Sequence, residues 1–162
     1  MSRPLPPAAL AALALGGLAH LPPASAQAPA SSRPRAARTA ERSAAINSIQ
    51  TQLKAFGRDD YQTAITYQSA GLKGSFPSTT AFRAMMQRAY PEFAHYKSVT
   101  FGPAQCDAQG IHLAIPATVT GKDGVTVRAV YLMVREGKVY RVEGVAGGAQ
   151  SLPDNGGSSK DV

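Results

Sequence analysis

The chain is poor in the residues that most often build metal or disulfide sites. It has no tryptophan, three histidines and one cysteine, Cys106, among 162 residues. One thiol cannot form an intrachain disulfide, so packing must stabilise the fold. The histidines and the cysteine show neither the C-x-x-C nor the H-x-x-x-H spacing that zinc sites use. We therefore expect no metal and no other cofactor.

The lone cysteine is also a weak candidate nucleophile. Cys106 lies in the segment Gly102–Gly110, whose composition is typical of a polar connection. A nucleophilic cysteine needs a nearby base and a lowered pKa. His95 and His112 are candidate partners, but no catalytic motif surrounds either histidine. We interpret Cys106 as an unreactive thiol.

Long apolar runs are scarce too, and the one that exists lies at the start of the chain. It runs from Ala8 to about Leu21, after the positive charge of Arg3 and before the small residues Ala24-Ser25-Ala26. This is the pattern of a signal peptide, here cleaved after Ala26. The run is shorter than the roughly 20 residues that a membrane-spanning helix needs. We predict a periplasmic or secreted protein with no membrane span after processing.

Composition divides the rest of the chain into one domain and two polar ends. We predict a signal peptide at 1–26, a disordered basic linker at 27–40, an α+β domain at 41–147 and a disordered tail at 148–162. The formal net charge is +7, and three arginines of the linker contribute to it. A basic linker can attract nucleic acid, but an exported protein rarely meets it. We therefore interpret the linker as a solvated spacer and expect no nucleic-acid partner.

Helical periodicity comes first along the domain. Apolar residues spaced by three or four predict a first helix that ends at Gly57. Asp59 or Asp60 precedes a second helical pattern that ends near Gly71, and this position favours capping over a pair of catalytic carboxylates. A third helix is predicted from Ser78 or Thr79 up to Pro91. The inward positions of these helices include Ile46, Ile49, Leu53, Phe56, Tyr61, Ala64, Phe82, Met85 and Met86.

Alternating apolar residues then predict four strands in an antiparallel meander. The predicted strands are 93–101, 111–120, 125–135 and 138–145. Pro116 suggests an edge or a bulge in the second of them. A three-residue loop ending in a left-handed Gly124 and a two-residue turn at 136–137 keep the apolar faces matched. The resulting pairs include Val119 with Val127, Ile115 with Tyr131, and Met133 with Tyr140.

The inward face of the predicted sheet carries two phenols and no base. Tyrosine has a pKa near 10, so its hydroxyl is a donor rather than a base at neutral pH. We therefore assign no catalytic residue. Side chains of both layers surround one apolar space, which we expect to be filled core rather than a small dry pocket. They are Ile115, Tyr131, Met133 and Tyr140 from the sheet, roofed by Phe82 and Met86.

The outward face carries an apolar strip with charged margins. Its members are Val130, Leu132, Val134 and Val139. Large contiguous apolar patches are seldom left in contact with water by a monomer. Because symmetric dimers are the commonest oligomers, the strip predicts a homodimer.

Several segments of the domain resemble one bacterial family. They are Gln52-Leu-Lys-Ala-Phe56, Asp59-Asp60, Tyr90-Pro91, Ser98-Val-Thr-Phe-Gly102, Ala129-Val-Tyr131 and Gly137-Lys-Val-Tyr140-Arg-Val-Glu-Gly144. Together they are similar to the domain of unknown function 4864, over residues of about 43–146. The resemblance implies a nuclear-transport-factor-2-like or cystatin-like cone, with three helices across a curved four-stranded sheet. Tyr140 stands where the family would have Trp. The resemblance implies no activity.

Three functions stay open on the sequence. The first is a binding or scaffold domain without catalysis, for a small apolar ligand or a protein partner. The second is a small isomerase- or hydrolase-like enzyme that uses Tyr131 and Tyr140 as hydrogen-bond donors. The third is a structural protein that self-associates. We favour the first because the inward face lacks a base.

Overall fold

Five helices lie against one antiparallel sheet of six strands in residues 33–147, which are the residues that the computed structural model describes. The helices are α1 (Thr39–Gly57), α2 (Tyr61–Thr66), α3 (Ala70–Gly74), α4 (Thr79–Ala89) and α5 (Pro91–Ala94). The strands are β1 (Arg35–Ala36), β2 (Tyr96–Phe101), β3 (Gln105–Cys106), β4 (His112–Gly121), β5 (Thr126–Glu136) and β6 (Val139–Gly147). Their order is β1-β3-β4-β5-β6, and β2 pairs with β4 beyond the end of β3. The predicted α+β class is confirmed, but the predicted three helices and four strands are too few.

The first helix has the apolar stripe that the sequence predicts. Ile49 and Leu53 are fully buried in α1 and Phe56 is almost so, and the helix ends at Gly57. In the helical conformation these three side chains lie on one face, and that face packs toward the sheet.

Ordered structure begins before residue 41, the predicted start of the domain. β1 pairs with β3, and α1 already begins at Thr39. The Arg35 guanidinium makes two hydrogen bonds to the Glu41 carboxylate, at 2.7 and 2.9 Å. This pair ties the segment before α1 to the helix.

The second helix is capped as predicted but is shorter than predicted. The Asp60 carboxylate accepts a hydrogen bond from the Thr63 N–H at 3.0 Å, which is N-terminal capping. The helix ends at Thr66, and Gly71 lies inside the separate helix α3. The predicted end near Gly71 is therefore wrong.

The break between α2 and α3 has a cause in the sheet. Val142 of the edge strand β6 donates its N–H to the Tyr67 carbonyl, and its own carbonyl accepts the Ser69 N–H, both at 2.8 Å. An exposed edge strand needs such partners. The chain leaves the helix at this point to supply them, which helical periodicity could not predict.

Pro91 ends one helix and begins another. It stops α4 as predicted and then occupies the first turn of α5, where its missing N–H costs no hydrogen bond. Phe93 is therefore helical and 1% exposed. The strand predicted from residue 93 begins only at Tyr96.

The hairpin between β4 and β5 has the predicted register. Val119 pairs with Val127 and Ile115 with Tyr131. Gly124 has a φ of +86°, the left-handed conformation that the three-residue loop requires. The apolar side chains of both strands therefore share the face that packs on the helices.

The register between β5 and β6 differs from the prediction. The turn residues are Gly137 and Lys138, so Tyr140 pairs with Arg135, and Met133 pairs with Val142. Next to the turn the prediction slipped by two residues, and because side chains alternate with a period of two, it still assigned Tyr140 and Val142 to the inner face correctly. An irregularity between Leu132 and Met133 shifts the later pairs by one more residue, so the predicted faces are wrong there: Gly144 pairs with the outward Leu132, and Val145 pairs with the inward Tyr131.

Pro116 and Cys106 occupy positions that the sequence does not foresee. Pro116 lies in the central strand β4, not at an edge or a bulge, and its carbonyl accepts the Gly102 N–H at 2.8 Å. In an antiparallel strand the N–H and the carbonyl of a residue point to the same neighbour. The missing N–H therefore faces the gap where β2 ends and β3 begins. Cys106 is part of β3 and is buried, so its segment is not a polar connection.

The core lies between the helices and the inner face of the sheet. Its largest fully buried side chains are Tyr131, Phe93, Ile49, Leu53, Ile115, Met133, Gln68 and Val119. One of them, Gln68, is polar, which is unusual for a core position. Within residues 33–147, no helix is long and apolar enough to span a membrane.

Candidate functional site

A cavity of about 320 Å³ opens between the helices and one end of the sheet. It is partly open to solvent. Its walls are made by α1, the segment from Gln68 to Phe76, α4, α5 and the inner face of β5 and β6. The lining residues are Gln52, Phe56, Gln68, Leu72, Phe76, Phe82, Met85, Met86, Tyr90, Phe93, Tyr131, Val142, Gly144 and Val145.

Aromatic rings make one wall of the cavity. The ring centroid of Phe82 lies 5.0 Å from that of Phe76 and 5.9 Å from that of Phe56, in tilted arrangements. A second contact joins Phe93 to Tyr131 at 6.1 Å with an edge-on geometry. Such pairs are favourable packing geometries for aromatic rings. The wall is therefore a packed aromatic cluster that presents apolar surface to the cavity.

The rim nearest the solvent is made of adaptable apolar side chains. Met85 is half-buried on α4, and Leu72 and Phe76 are half-buried on and after the short helix α3. Methionine fits irregular shapes because its side chain is unbranched and flexible. The cavity thus combines a firm floor on the sheet with a rim that can adjust to an occupant.

Two glutamine amides supply polar groups to this apolar lining. Gln52 donates its Nε2 hydrogen to the Ala64 carbonyl at 3.2 Å. Gln68 is 1% exposed, and its Oε1 has no hydrogen-bond partner among the described residues. A buried polar atom without a partner is rare and unfavourable. Gln68 is therefore the atypical residue of the site.

The lining carries no side chain that is charged at neutral pH. Among the residues around the cavity there is no carboxylate, imidazole, ammonium, guanidinium or thiol. Burial raises the pKa of Tyr131 far above its ordinary value of 10.0, so its phenol stays protonated. The site can donate or accept hydrogen bonds, but it offers no group that is a base near pH 7.

His95, His112 and Tyr61 lie elsewhere in the structure. His95 and His112 are exposed, and His112 lies 3.1 Å from Asp107 in the turn before β4. Tyr61 is buried under α2 against Phe56, and burial raises its pKa. The side chains of His95, His112 and Tyr61 do not line the cavity.

The structure divides the six predicted lining residues into two groups. Phe82, Met86 and Tyr131 line the cavity. Ile115, Met133 and Tyr140 lie in filled core beyond it, where each is at most 4% exposed. Tyr140 is displaced because of the two-residue difference in register. The filled core and the cavity are therefore neighbouring regions rather than alternatives.

Sequence reasoning missed several lining residues, and Gln68 is the most important of them. Its only signal was a polar residue at an inward position of a helical pattern. The others come from α3 and the end of β6, namely Leu72, Phe76, Gly144 and Val145. Their positions depend on the break after α2 and on the irregular pairing of β6, which no local pattern indicates.

A second polar cluster lies around the start of α1 and contains the cysteine. The pKa of Glu41 falls from 4.5 to about 2, chiefly because Arg35 donates hydrogen bonds to the carboxylate and also through the Arg38 N–H. The Cys106 sulfur lies 3.9 Å from Glu41 Oε2, and burial raises the pKa of this thiol. The cysteine is thus protonated at neutral pH, which is the opposite of an activated nucleophile.

Close packing marks this second cluster as structural. Gly110 has a φ of +67°, and a Cβ there would come within 2.3 Å of Glu41 Oε1. The Gly110 carbonyl also accepts the Tyr140 hydroxyl hydrogen at 2.6 Å. The cluster therefore joins β6, the turn before β4 and the first turn of α1. In the described part of the chain, no group of three or more His, Cys, Asp or Glu side chains could hold a metal ion.

The predicted outer strip lies on the face of the sheet away from the helices. Leu132 is 40% exposed and Val139 43%, while Val130 and Val134 are half-buried. The observed register places apolar or small residues beside Val130 and Leu132, whereas Val134 pairs with Arg141 and Val139 with Glu136. Val130 pairs with Pro116 and Ala146, and Leu132 pairs with Ala114 and Gly144.

Comparison with known proteins identifies a family. Neither the curated proteins nor the solved structures include a significant match to this chain. The model of one family, described as a domain of unknown function (DUF4864), matches residues 38–152. The match covers well over half of the chain and all of α1 to β6. The chain therefore belongs to the DUF4864 family.

Proposed function

We propose that this protein binds a small, mostly apolar ligand in the cavity between its helices and its sheet, and that it does so without catalysis. The observation that carries the proposal is the cavity itself, with its volume of about 320 Å³ and its aromatic and methionine lining. Ligand sites in proteins span roughly 300–1,000 Å³ and are mostly apolar with few polar groups. The occupant therefore belongs at the small end of this range.

The apolar lining gives the binding its driving force. Phe76, Met85 and Val145 contribute apolar surface to the lining. Removing such surface from water contributes about 25 cal/mol for each Å² buried. A ligand that fills the cavity supplies this burial, and closer contact of α3 and α4 over the ligand would add to it.

The absence of catalysis follows from the chemistry of the lining. Proton transfer near pH 7 needs a group whose pKa lies near 7. The phenol of Tyr131 is kept neutral by burial, and Tyr140 lies outside the cavity. A hydrolase- or isomerase-like activity would therefore have to proceed without a base from the described lining, so binding is the better account.

We further propose that the fold is a nuclear-transport-factor-2-like cone and that the protein acts after export. The layered arrangement of helices over one antiparallel sheet, with a cavity between them, supports the first point. The pattern of residues 1–26 supports the second. Those residues and the tail 148–162 lie outside the described part of the chain.

Native mass spectrometry of protein purified from its own host tests the proposal. We expect a noncovalent ligand of low mass on the wild type and none on Leu72→Trp, because a larger side chain at the rim would occupy the cavity. Lys73→Trp is the matched control, since Lys73 is exposed on the same helix and does not line the cavity. A wild type that carries no ligand, or a Leu72→Trp variant that still carries it, would contradict the proposed site.

A further inference from the structure

The backbone of Gln68 is hydrogen-bonded, while its side-chain oxygen has no partner among the described residues. Its N–H donates to the Ile65 carbonyl at 3.0 Å, and the residue forms a parallel bridge with Val142. The side chain lines the cavity and is almost completely shielded from solvent. Its Oε1 nevertheless lacks a hydrogen-bond partner among the described residues. The fold thus holds an unpaired amide oxygen at the wall of an apolar cavity.

A purely structural role does not explain this amide. A side chain retained for stability would satisfy its oxygen or would be apolar, because an unpaired polar atom in the interior destabilises the protein. The second glutamine shows the usual solution, since Gln52 Nε2 is hydrogen-bonded to Ala64. Gln68 therefore has the property expected of a group whose partner arrives with a ligand.

The surroundings define the chemistry of that partner. Among residues 33–147, no positively charged side chain lines the cavity, so a carboxylate or phosphate would have no counter-ion from them. No negatively charged side chain lines it either, which disfavours a cation. The terminal torsion of glutamine is soft, so the amide can present either its oxygen or its NH₂. An uncharged group that both donates and accepts, such as an alcohol or an amide, matches it in both orientations.

We propose that Gln68 is the specificity-determining residue of the cavity and selects an apolar ligand bearing one hydroxyl or amide group. This inference rests on the proposed function, since it names the ligand class of the same cavity. The hydrogen bond forms where water is excluded, so it discriminates strongly against a ligand of equal size that lacks the donor.

Two isomeric probes separate the hydroxyl group from size. We would titrate n-octanol and methyl heptyl ether, which have the same formula but differ in the O–H donor, into protein with isotope-labelled methionine methyl groups. Met85 and Met86 line the cavity and report binding by NMR, whereas Met133 lies in the core and serves as an internal control. We expect the alcohol to bind the wild type about tenfold more tightly, as one shielded hydrogen bond allows.

The substitution Gln68→Met keeps the length of the side chain and removes its amide. We expect the preference for the alcohol to fall below about twofold, while the unfolding midpoint of the free protein stays equal or rises because an unpaired atom is gone. Gln62→Met is the matched control, since Gln62 is exposed on α2 and does not line the cavity. It should keep the full preference. If Gln68→Met does not fold, Gln68→Asn, which shortens the reach of the amide, must reduce the preference instead.

The possible results distinguish the two proposals. If both probes shift Met85 and Met86 at equal concentrations in the wild type, the cavity binds apolar ligands but Gln68 does not select them. If Gln52→Met abolishes the preference and Gln68→Met retains it, the anchor is Gln52 and the inference is wrong. If neither probe moves either methyl group, both the selectivity and the proposed function are contradicted.

Discussion

The Tyr67 carbonyl accepts a hydrogen bond from the Val142 N–H at 2.8 Å. Together with the hydrogen bond from the Ser69 N–H to the Val142 carbonyl, this contact joins the end of α2 to the edge strand β6. Because Gln68 follows Tyr67 directly, the contact also places the Gln68 side chain at the wall of the cavity. The edge strand and the candidate site therefore depend on the same short segment, which lies between two helices.

The first prediction concerns the cap that follows this segment. The Ser69 hydroxyl accepts the Leu72 N–H at 3.1 Å and so begins α3. Ser69→Ala should destabilise the protein by about 1 kcal/mol, as the loss of an N-terminal cap usually does. Urea unfolding measures this change, and hydrogen exchange should show lower protection of the Leu72 amide.

Ser78→Ala is the control for that measurement. Ser78 caps α4 by accepting the Ala81 N–H at 3.1 Å, so its loss should expose the Ala81 amide and leave Leu72 protected. Equal loss of protection at both amides in both variants would mean that α3 and α4 open together, and a local cap at Ser69 would then be the wrong description.

The second prediction separates the core from the cavity at Tyr140. Tyr140→Ala should lower the free energy of unfolding by about 3–5 kcal/mol, as aromatic truncations in cores do. Tyr140→Phe should lower it by about 1–3 kcal/mol, because the buried Gly110 carbonyl loses its 2.6 Å hydrogen bond. Urea unfolding measures both values.

Ligand binding provides the contrast for Tyr140. The residue does not line the cavity, so Tyr140→Phe should bind n-octanol as the wild type does. A loss of binding with little change in stability would show that the cavity extends to Tyr140, as the predicted pairing with Met133 implied.

The sequence predicted the two faces of the sheet because that information is local. Alternation along β4 and β5 assigns each side chain to the core or to the outside, and a register difference of two residues does not alter the assignment. The exact pairing of Tyr140 depends on which residues form the turn. The alternatives 136–137 and 137–138 satisfy the alternation about equally, so the sequence does not decide between them.

The candidate site was less predictable because it forms where separate elements meet. Tyr131, Phe82 and Met86 could be assigned inward from periodicity alone. Whether they enclose filled core or a cavity depends on side-chain volumes from four helices and two strands, which periodicity does not contain. Gln68 could not be identified as a wall residue until the break after Thr66 was known.

The third prediction is a dependence of stability on pH that originates at Glu41. Hydrogen bonds from Arg35 lower the pKa of Glu41 in the folded protein from 4.5 to about 2. A folded-state pKa below the unfolded one stabilises the protein above the unfolded value. This contribution should therefore be complete above pH 4.5 and be lost as the pH falls from about 4.5 to about 2.

Urea unfolding across this pH range tests the assignment. Glu41→Gln should flatten the decline of stability between pH 4.5 and pH 2. Glu143→Gln removes the same charge from an exposed position of β6 and should leave the decline unchanged. If the decline is as steep in Glu41→Gln as in the wild type, another carboxylate is responsible.

The last prediction concerns the outer strip of Val130, Leu132, Val134 and Val139. The observed register moves the charged neighbours of this strip away from Val130 and Leu132 and places them beside Val134 and Val139. Leu132 lies opposite Gly144 instead of Arg141, and Val130 lies opposite Ala146 instead of Glu143. Around Val130 and Leu132, small uncharged neighbours thus replace charged ones, which lowers the desolvation needed to cover that part of the strip. Val134 now lies opposite Arg141 and Val139 opposite Glu136, so the charged margin lies at the other end. We expect the wild type to sediment as a dimer at micromolar concentration and Leu132→Glu as a folded monomer, because a carboxylate at the centre of a symmetric contact meets its own copy.

Ser98→Glu adds the same charge at an exposed outward position of β2, outside the strip, and should remain dimeric. A wild type that is already monomeric would show that the strip is not a self-association surface, and a Leu132→Glu variant that stays dimeric would assign the dimer contact to another face.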